Sequence, residues 1–512
     1  MTFQPSRRVF LGSVGALTGA LLLPDVANGA TSTDTVVPGL PTAAWLQAEN
    51  LLPGTASWLH GLSAAPGALE AYCSTTSAPL GSSVQVFVST PSPTISVSLY
   101  RMGYYQGLGA RLVWSKNAVP ARVQTMPKPD EFNTVDCNWT PTFSIAISST
   151  WSPGQYLIRL DDASGKHRFV PLMIRDDASQ ATYVYLSAVT TWQAYNTWGG
   201  FSLYRQTDPL GWPVISNSAR AQRVSFNRPY AHHFANGSAD FVGNELPFLF
   251  LAEKLGLDMT YWTDIDLHEQ PAALLRHKAL LSLGHDEYYS LEMRNAVLRA
   301  VKAGVNVAFF GANFIYRKVR FESGVNGLNR LMVNYRSDAD PIMATMPSQS
   351  TVNWPSFPDG ASGVFSGSDY GGAQGVGSLK VVDATSWLWS GTGVSEGTIL
   401  PNALGGEFNN YNPGAANPTN VQLLGHSRVG GGVSDVTYVA TRAEGGVFCS
   451  GTGQWIYHLS SAPKLGSHWI PAASTNVTPV LTKATMNLLA LFARGPAGSI
   501  QPSVANTATI YG

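Results

Sequence analysis

The sequence predicts an α/β plus all-β protein, in which a β-sandwich domain precedes a larger α/β domain built on a mostly parallel sheet. Three observations carry this. Between residues 46 and 177, short apolar runs, several of them alternating, are separated by Pro, Gly, Ser and Asp turns, the texture of an immunoglobulin-like sandwich. From Ala181 onward, strand-like and helix-like runs alternate, which implies parallel strands wound on both faces. Residues 278–310 read as one complete strand–helix–strand unit with polar side chains at both strand ends.

Taken in order, the chain opens on Ser6-Arg7-Arg8-Val9-Phe10-Leu11, a twin-arginine pattern, and a weakly apolar segment up to Leu23. This predicts an export signal over 1–30 and a secreted, periplasmic or envelope-associated protein. The segment is too short and glycine-rich for a good membrane span, so the mature form is expected to lie away from the membrane. Residues 31–45 read as a linker. Strands of the β domain are expected at 84–89, 95–100, 143–148, 156–160 and 168–174. The α/β domain spans 178–495, with strands at 182–186, 259–262, 278–283, 305–310 and 445–450, and helices at 245–255, 271–276, 291–303 and 482–493. Ser290 is placed to cap the helix that starts at Leu291, and Gly304 to end it. Residues 324–430 are rich in Gly, Ser, Asn and Pro and read as long excursions over the sheet. The tail from 496 to 512 reads as loose.

The composition excludes some functions. Lysine plus arginine (32) equals aspartate plus glutamate (32), and only 12% of residues are charged. No basic bias supports a nucleic-acid partner. Of three cysteines, Cys73 and Cys137 could bridge outside the cell, while Cys449 sits in an apolar run as a buried thiol. Neither an H-E-x-x-H motif nor a phosphate-binding glycine loop occurs.

Ligand sites in open α/β sheets lie beyond the carboxyl ends of the strands. The polar residues there are Tyr195 and Asn196, His285 and Glu287, and Asn313; Glu407 and Tyr230 stand in glycine- and proline-flanked segments. In extended chain His285 and Glu287 point the same way, although the same pattern suits a surface turn. Glu287 can bind a hard metal ion, and a phenolate favours ferric iron, yet most of the 20 tyrosines must be packing residues.

Six blocks, in order, resemble the N,N-dimethylformamidase large (beta) subunit family: Thr191-Trp192-Gln193-Ala194-Tyr195-Asn196 with Trp198-Gly199-Gly200 and Ser202-Leu203-Tyr204; residues 224–230; 284–288; 311–313; 389–393 with Glu407; and 446–455. The resemblance implies a glutamine-amidotransferase-like (flavodoxin-like) α/β core behind the β-rich domain. It also implies hydrolysis of a non-peptide C–N amide bond at a mononuclear Fe³⁺ held by two tyrosines and a glutamate. Carried over, Tyr195 and Glu287 are ligands and Tyr230 is taken as the second tyrosine, with Tyr204 and Tyr288 as rivals. Glu407 is the general base, Asn313 the group that positions it or the substrate, and His285 the group that orients a ligand or moves a proton. A small amide is the implied substrate, with a homo-oligomer or a separate small subunit as the implied partner. The alternative is an exported glycan- or envelope-binding module that keeps the fold without the chemistry.

Overall fold

The computed structural model describes residues 39–337, 339–459 and 476–512. The twin-arginine segment and residues 31–38 of the expected linker lie outside the described residues. Residues 39–45 do not behave as a linker. Thr42 bridges Leu257, the Ala43 amide donates to the Gly256 carbonyl (2.9 Å), and a helix already begins at Ala44–Asn50.

The β region holds two sheets. One has the order Ser77–Pro79, His167–Arg175, Gly154–Asp162, Thr94–Met102, Ala110–Pro120; the other pairs Glu70–Cys73, Ser83–Ser89 and Phe143–Ala146. Alternation in Thr94–Met102 sends Ile95, Val97 and Leu99 to one face, where they meet Val84, Val86 and Val88 of the other sheet in a shared core. Each such side chain contributes about 1.5–3 kcal/mol when fully buried. Cys73 and Cys137 are both buried and both free, so the possible bridge between them is not formed.

The second system is a seven-stranded sheet, in order Met259–Thr263, Tyr183–Ser187, Ala279–Leu283, Asn306–Phe310, Gly446–Cys449, Gly432–Ala440, Gln422–Val429. The first five strands are parallel, and Gly432–Ala440 pairs antiparallel with both of its neighbours, Gly446–Cys449 and Gln422–Val429. The helix Leu291–Lys302 starts where expected, with Ser290 Oγ accepting from the Met293 amide (3.2 Å), and it turns Met293, Val297 and Val301 onto Leu280, Val307 and Val447. At the carboxyl edge two strand ends meet backbone to backbone: a Cβ on Gly311 would lie 2.0 Å from the Gly284 carbonyl oxygen. Glycine is required there, and the contact sets the spacing of the two loops that carry His285–Glu287 and Asn313.

Two expectations change. Residues 324–430 are not excursions throughout: Asp369–Lys380 and Ile399–Asn410 form a long hairpin that pairs Gln374 with Glu407. Its glycines and polar residues carry no alternation to read. The tail is not loose either. Ala497–Ile500 and Thr507–Tyr511 are helical, Asn506 binds both backbone groups of Leu423, and Tyr511 donates to the buried Asp435. No described helix is long and apolar enough to cross a membrane.

Candidate functional site

The helix Val189–Tyr195 follows the strand Tyr183–Ser187 and ends at Tyr195. The chain then loops back so that Tyr204 lies beside it, with ring centroids 4.3 Å apart. The buried Arg228 sets that return. Its Nη1 donates to the carbonyls of Trp198 and Phe201 (both 2.8 Å) and its Nη2 to that of Asn196 (3.0 Å). Asn196 adds bonds to Gln193 and Pro229 through its amide nitrogen and accepts from the amides of Trp198 and Ala231. Much of the W-Q-A-Y-N block therefore serves to present two tyrosines.

Both phenols meet Glu287, which is 1% exposed. Tyr195 donates to Oε2 at 3.1 Å, and Tyr204 lies 2.7 and 2.6 Å from Oε1 and Oε2. Arg317 Nε reaches Oε1 at 3.0 Å, and the Glu287 amide donates to Thr191 Oγ1. Burial, then the Glu287 charge, holds both phenols well above the ordinary tyrosine range. Behind them the Arg336 guanidinium lies 4.3 Å over the Tyr204 ring and donates to the Tyr288 hydroxyl (2.8 Å).

His285 stands between two carboxylates, with Nε2 3.5 Å from Glu287 Oε2 and 2.9 Å from Glu407 Oε2. The second is an ion-pair contact without aligned hydrogen-bond geometry, so Glu407 Oε2 has no aligned donor among the described residues; nor does Asn313 Oδ1. Glu407 Oε1 accepts from Tyr370 (3.1 Å) and Gln374 (3.2 Å). Burial alone would pull the His285 imidazole down, but Glu407 and then Glu287 outweigh it and push it up to about 9. Burial would raise the Glu407 carboxyl, and His285 outweighs that and holds it below the usual value. The pair is thus a carboxylate beside an imidazolium at neutral pH. Asn313, at positive φ (+54°), sets Nδ2 3.4 Å from His285 Nε2 and is anchored by its amide to Asn409.

The structure therefore brings Tyr195, Glu287, His285, Asn313 and Glu407 to one cleft of about 550 Å³. Tyr230 does not join them. Its ring packs edge-on to Trp192, and it faces a separate, nearly filled cavity beside Arg228 and Arg330. The second tyrosine on Glu287 is Tyr204, and Tyr288 turns away to Arg336. Arg317, Tyr370, Gln374 and Arg336 went unread in the sequence, where a single cation or phenol on a strand carries no signal. Among the described residues no group of three or more His, Cys, Asp or Glu side chains could hold a metal ion. The hard donors that do converge are two phenols and one carboxylate.

No curated protein matches the chain. Among solved structures, a cycloisomaltooligosaccharide glucanotransferase of Paenibacillus sp. complexed with cycloisomaltoheptaose is similar at 10% identity and a TM-score of 0.16, over 52% of this chain and 34% of that one. The chain thus spans about a third of that protein's length, and so poor a superposition carries no argument. Residues 96–468, well over half of the chain and including every side chain of the cleft discussed above, match the model of the family described as N,N-dimethylformamidase beta subunit-like, C-terminal, and to that family this chain belongs.

Proposed function

We propose that the protein is an exported amidohydrolase that cleaves a non-peptide C–N amide bond and holds one ferric ion on Tyr195, Tyr204 and Glu287. Family membership suggests the amidase class. The observation that carries the site is the meeting of two phenols on one buried carboxylate beside the His285–Glu407 pair. The twin-arginine pattern supports export, and the substrate is a small amide. A homo-oligomer or a separate small subunit completes the reading.

The donor set fits such an ion. Oxygen ligands at right angles around an ion with bonds of about 2 Å stand about 2.8 Å apart, and the phenol–carboxylate separations run from 2.6 to 3.1 Å. Deprotonated, the three groups carry a threefold negative charge. Ferric iron is acidic enough to displace the phenolic protons that burial and Glu287 otherwise retain. When bound, it would supply Lewis acidity toward water and the amide carbonyl.

The chain's own residues manage the protons. Glu407 Oε2, ionised and without an aligned donor, takes a proton from the attacking water as the new C–O bond forms. His285, cationic, gives its proton to the amide nitrogen as the C–N bond breaks, releasing acid and amine. The 2.9 Å contact then returns the proton from Glu407 to His285. Asn313 keeps Oδ1 for the substrate while its backbone is held by Asn409. A visible absorption spectrum with an elemental assay tests the reading: a broad band with one iron per chain is expected, bleached in Tyr195→Phe and Tyr204→Phe. A protein that stays colourless and metal-free after iron reconstitution would refute it.

A further inference from the structure

We propose that the cleft selects amides bearing an aromatic or extended apolar arm, seated against Trp212, Val214, His233 and Phe234. This deepens the amidohydrolase reading and rests on it. The reacting groups need only the few atoms of the amide, whereas a cleft of about 550 Å³ encloses a much larger molecule. One part of its further lining is aromatic, while Arg205, Asp240 and Asn244 make another part polar. Trp212 and His233 rings lie 6.4 Å apart, and those of His233 and Phe234 4.5 Å apart. Trp212 is 58% exposed although it lines the cleft. It is presented by a fixed turn, in which the Leu210 and Trp212 amides both donate to Asp208 Oδ1 (2.9 and 3.0 Å).

A second observation concerns room. Gly453 lines the same cleft at φ −70°, a conformation open to any residue, and among the described residues a Cβ there would meet no atom within 4 Å. Neither backbone strain nor packing by the described residues demands glycine at this position. The space it leaves suits the arm of a substrate, and a one-carbon substituent would leave the aromatic wall in water.

Calorimetric binding of N-benzylformamide and of formamide to the iron-loaded full chain tests this, with turnover of both measured in parallel. Wild type is expected to bind the benzyl compound tighter by about tenfold or more, since a pocket discriminates about tenfold or better per buried methylene. Trp212→Ala, which removes the wall, and Gly453→Leu, which fills the space, should each bring the Kd ratio close to one. Equal affinities in wild type, or survival of the full ratio in either variant, would overturn the proposal. Selective binding without turnover of either amide would leave the arm site standing and sink the hydrolase reading. Turnover of formamide without selectivity would do the reverse.

Discussion

On the proposed ferric site, replacing Arg228 by Met should prevent iron loading although Arg228 is none of the three proposed ligands. Beside two bonds to Gln193, the guanidinium makes three to main-chain carbonyls in the segment between Tyr195 and Tyr204, at 2.8, 2.8 and 3.0 Å. A hydrogen bond to a charged group contributes about 1.5–3 kcal/mol, so the three amount to about 4–9 kcal/mol. Against this stands the desolvation of the cation. Burial drags the guanidinium down to about 10 from its ordinary 12.5, which corresponds to about 3 kcal/mol that the substitution returns. The net loss is therefore about 1–6 kcal/mol. It is concentrated in one loop, because the freed carbonyls must turn to water and take Tyr204 with them. The assay is iron stoichiometry and the visible band after reconstitution, beside a thermal unfolding scan. Arg228→Met should lose most of the band with a Tm lowered by only a few degrees. Arg228→Lys, which cannot fork to three carbonyls, should fall between. A variant that loads iron like wild type and shows an unchanged band would refute the reasoning.

Glu407→Gln should lower amide turnover by about 10²–10⁴ while iron content stays at one per chain; a rate within tenfold of wild type would remove Glu407 from the mechanism. Arg336→Leu takes away the cation 4.3 Å over Tyr204, and competition with a chelator should show iron held about 10–100-fold less tightly, whereas unchanged affinity would make the arginine merely structural. Glu245 is buried, and burial pushes its carboxyl up to about 8 from 4.5 despite bonds from Ser187, Ala188 and Tyr185. Its folded pKa is raised, so the stabilisation is full below about 4.5 and is lost as pH rises toward 8, at up to about 1.4 kcal/mol per unit. Thermal scans from pH 5 to 8 should accordingly show Glu245→Gln flattening the decline seen in wild type, and parallel curves would count against a neutral Glu245.

The strand–helix–strand unit at 278–310 was legible because its residues obey two clean periods and end on glycine. The Gly284–Gly311 contact that sets the two strand-end loops side by side follows from the same boundaries. The hairpin that delivers Glu407 was not legible: Asp369–Lys380 contains four glycines and no alternation, and its register comes from its partner strand. Nor was the tail, whose order depends on Tyr511 finding Asp435 and Asn506 finding Leu423, contacts with no local trace. Single cations such as Arg317 are legible only once the fold shows which carboxylate they face.

The block at 224–230 shows why the sequence points to a tyrosine other than the one that meets Glu287. Its polar and aromatic residues stand out, and sequence alone favours the tyrosine as the functional member. In the structure the member that acts on the site is Arg228, two residues earlier, and it acts through the loop that bears Tyr204. The two tyrosines therefore make a sharp contrast. Tyr230 lines a nearly filled cavity away from Glu287, so in Tyr230→Phe the proposed visible band and iron content should survive. Tyr204→Phe removes the oxygen 2.6 Å from the Glu287 carboxylate, and both should fall. If instead Tyr230→Phe bleaches the protein and Tyr204→Phe does not, then the ion sits on a different pair of phenols, and the cleft at the strand ends is not the metal site.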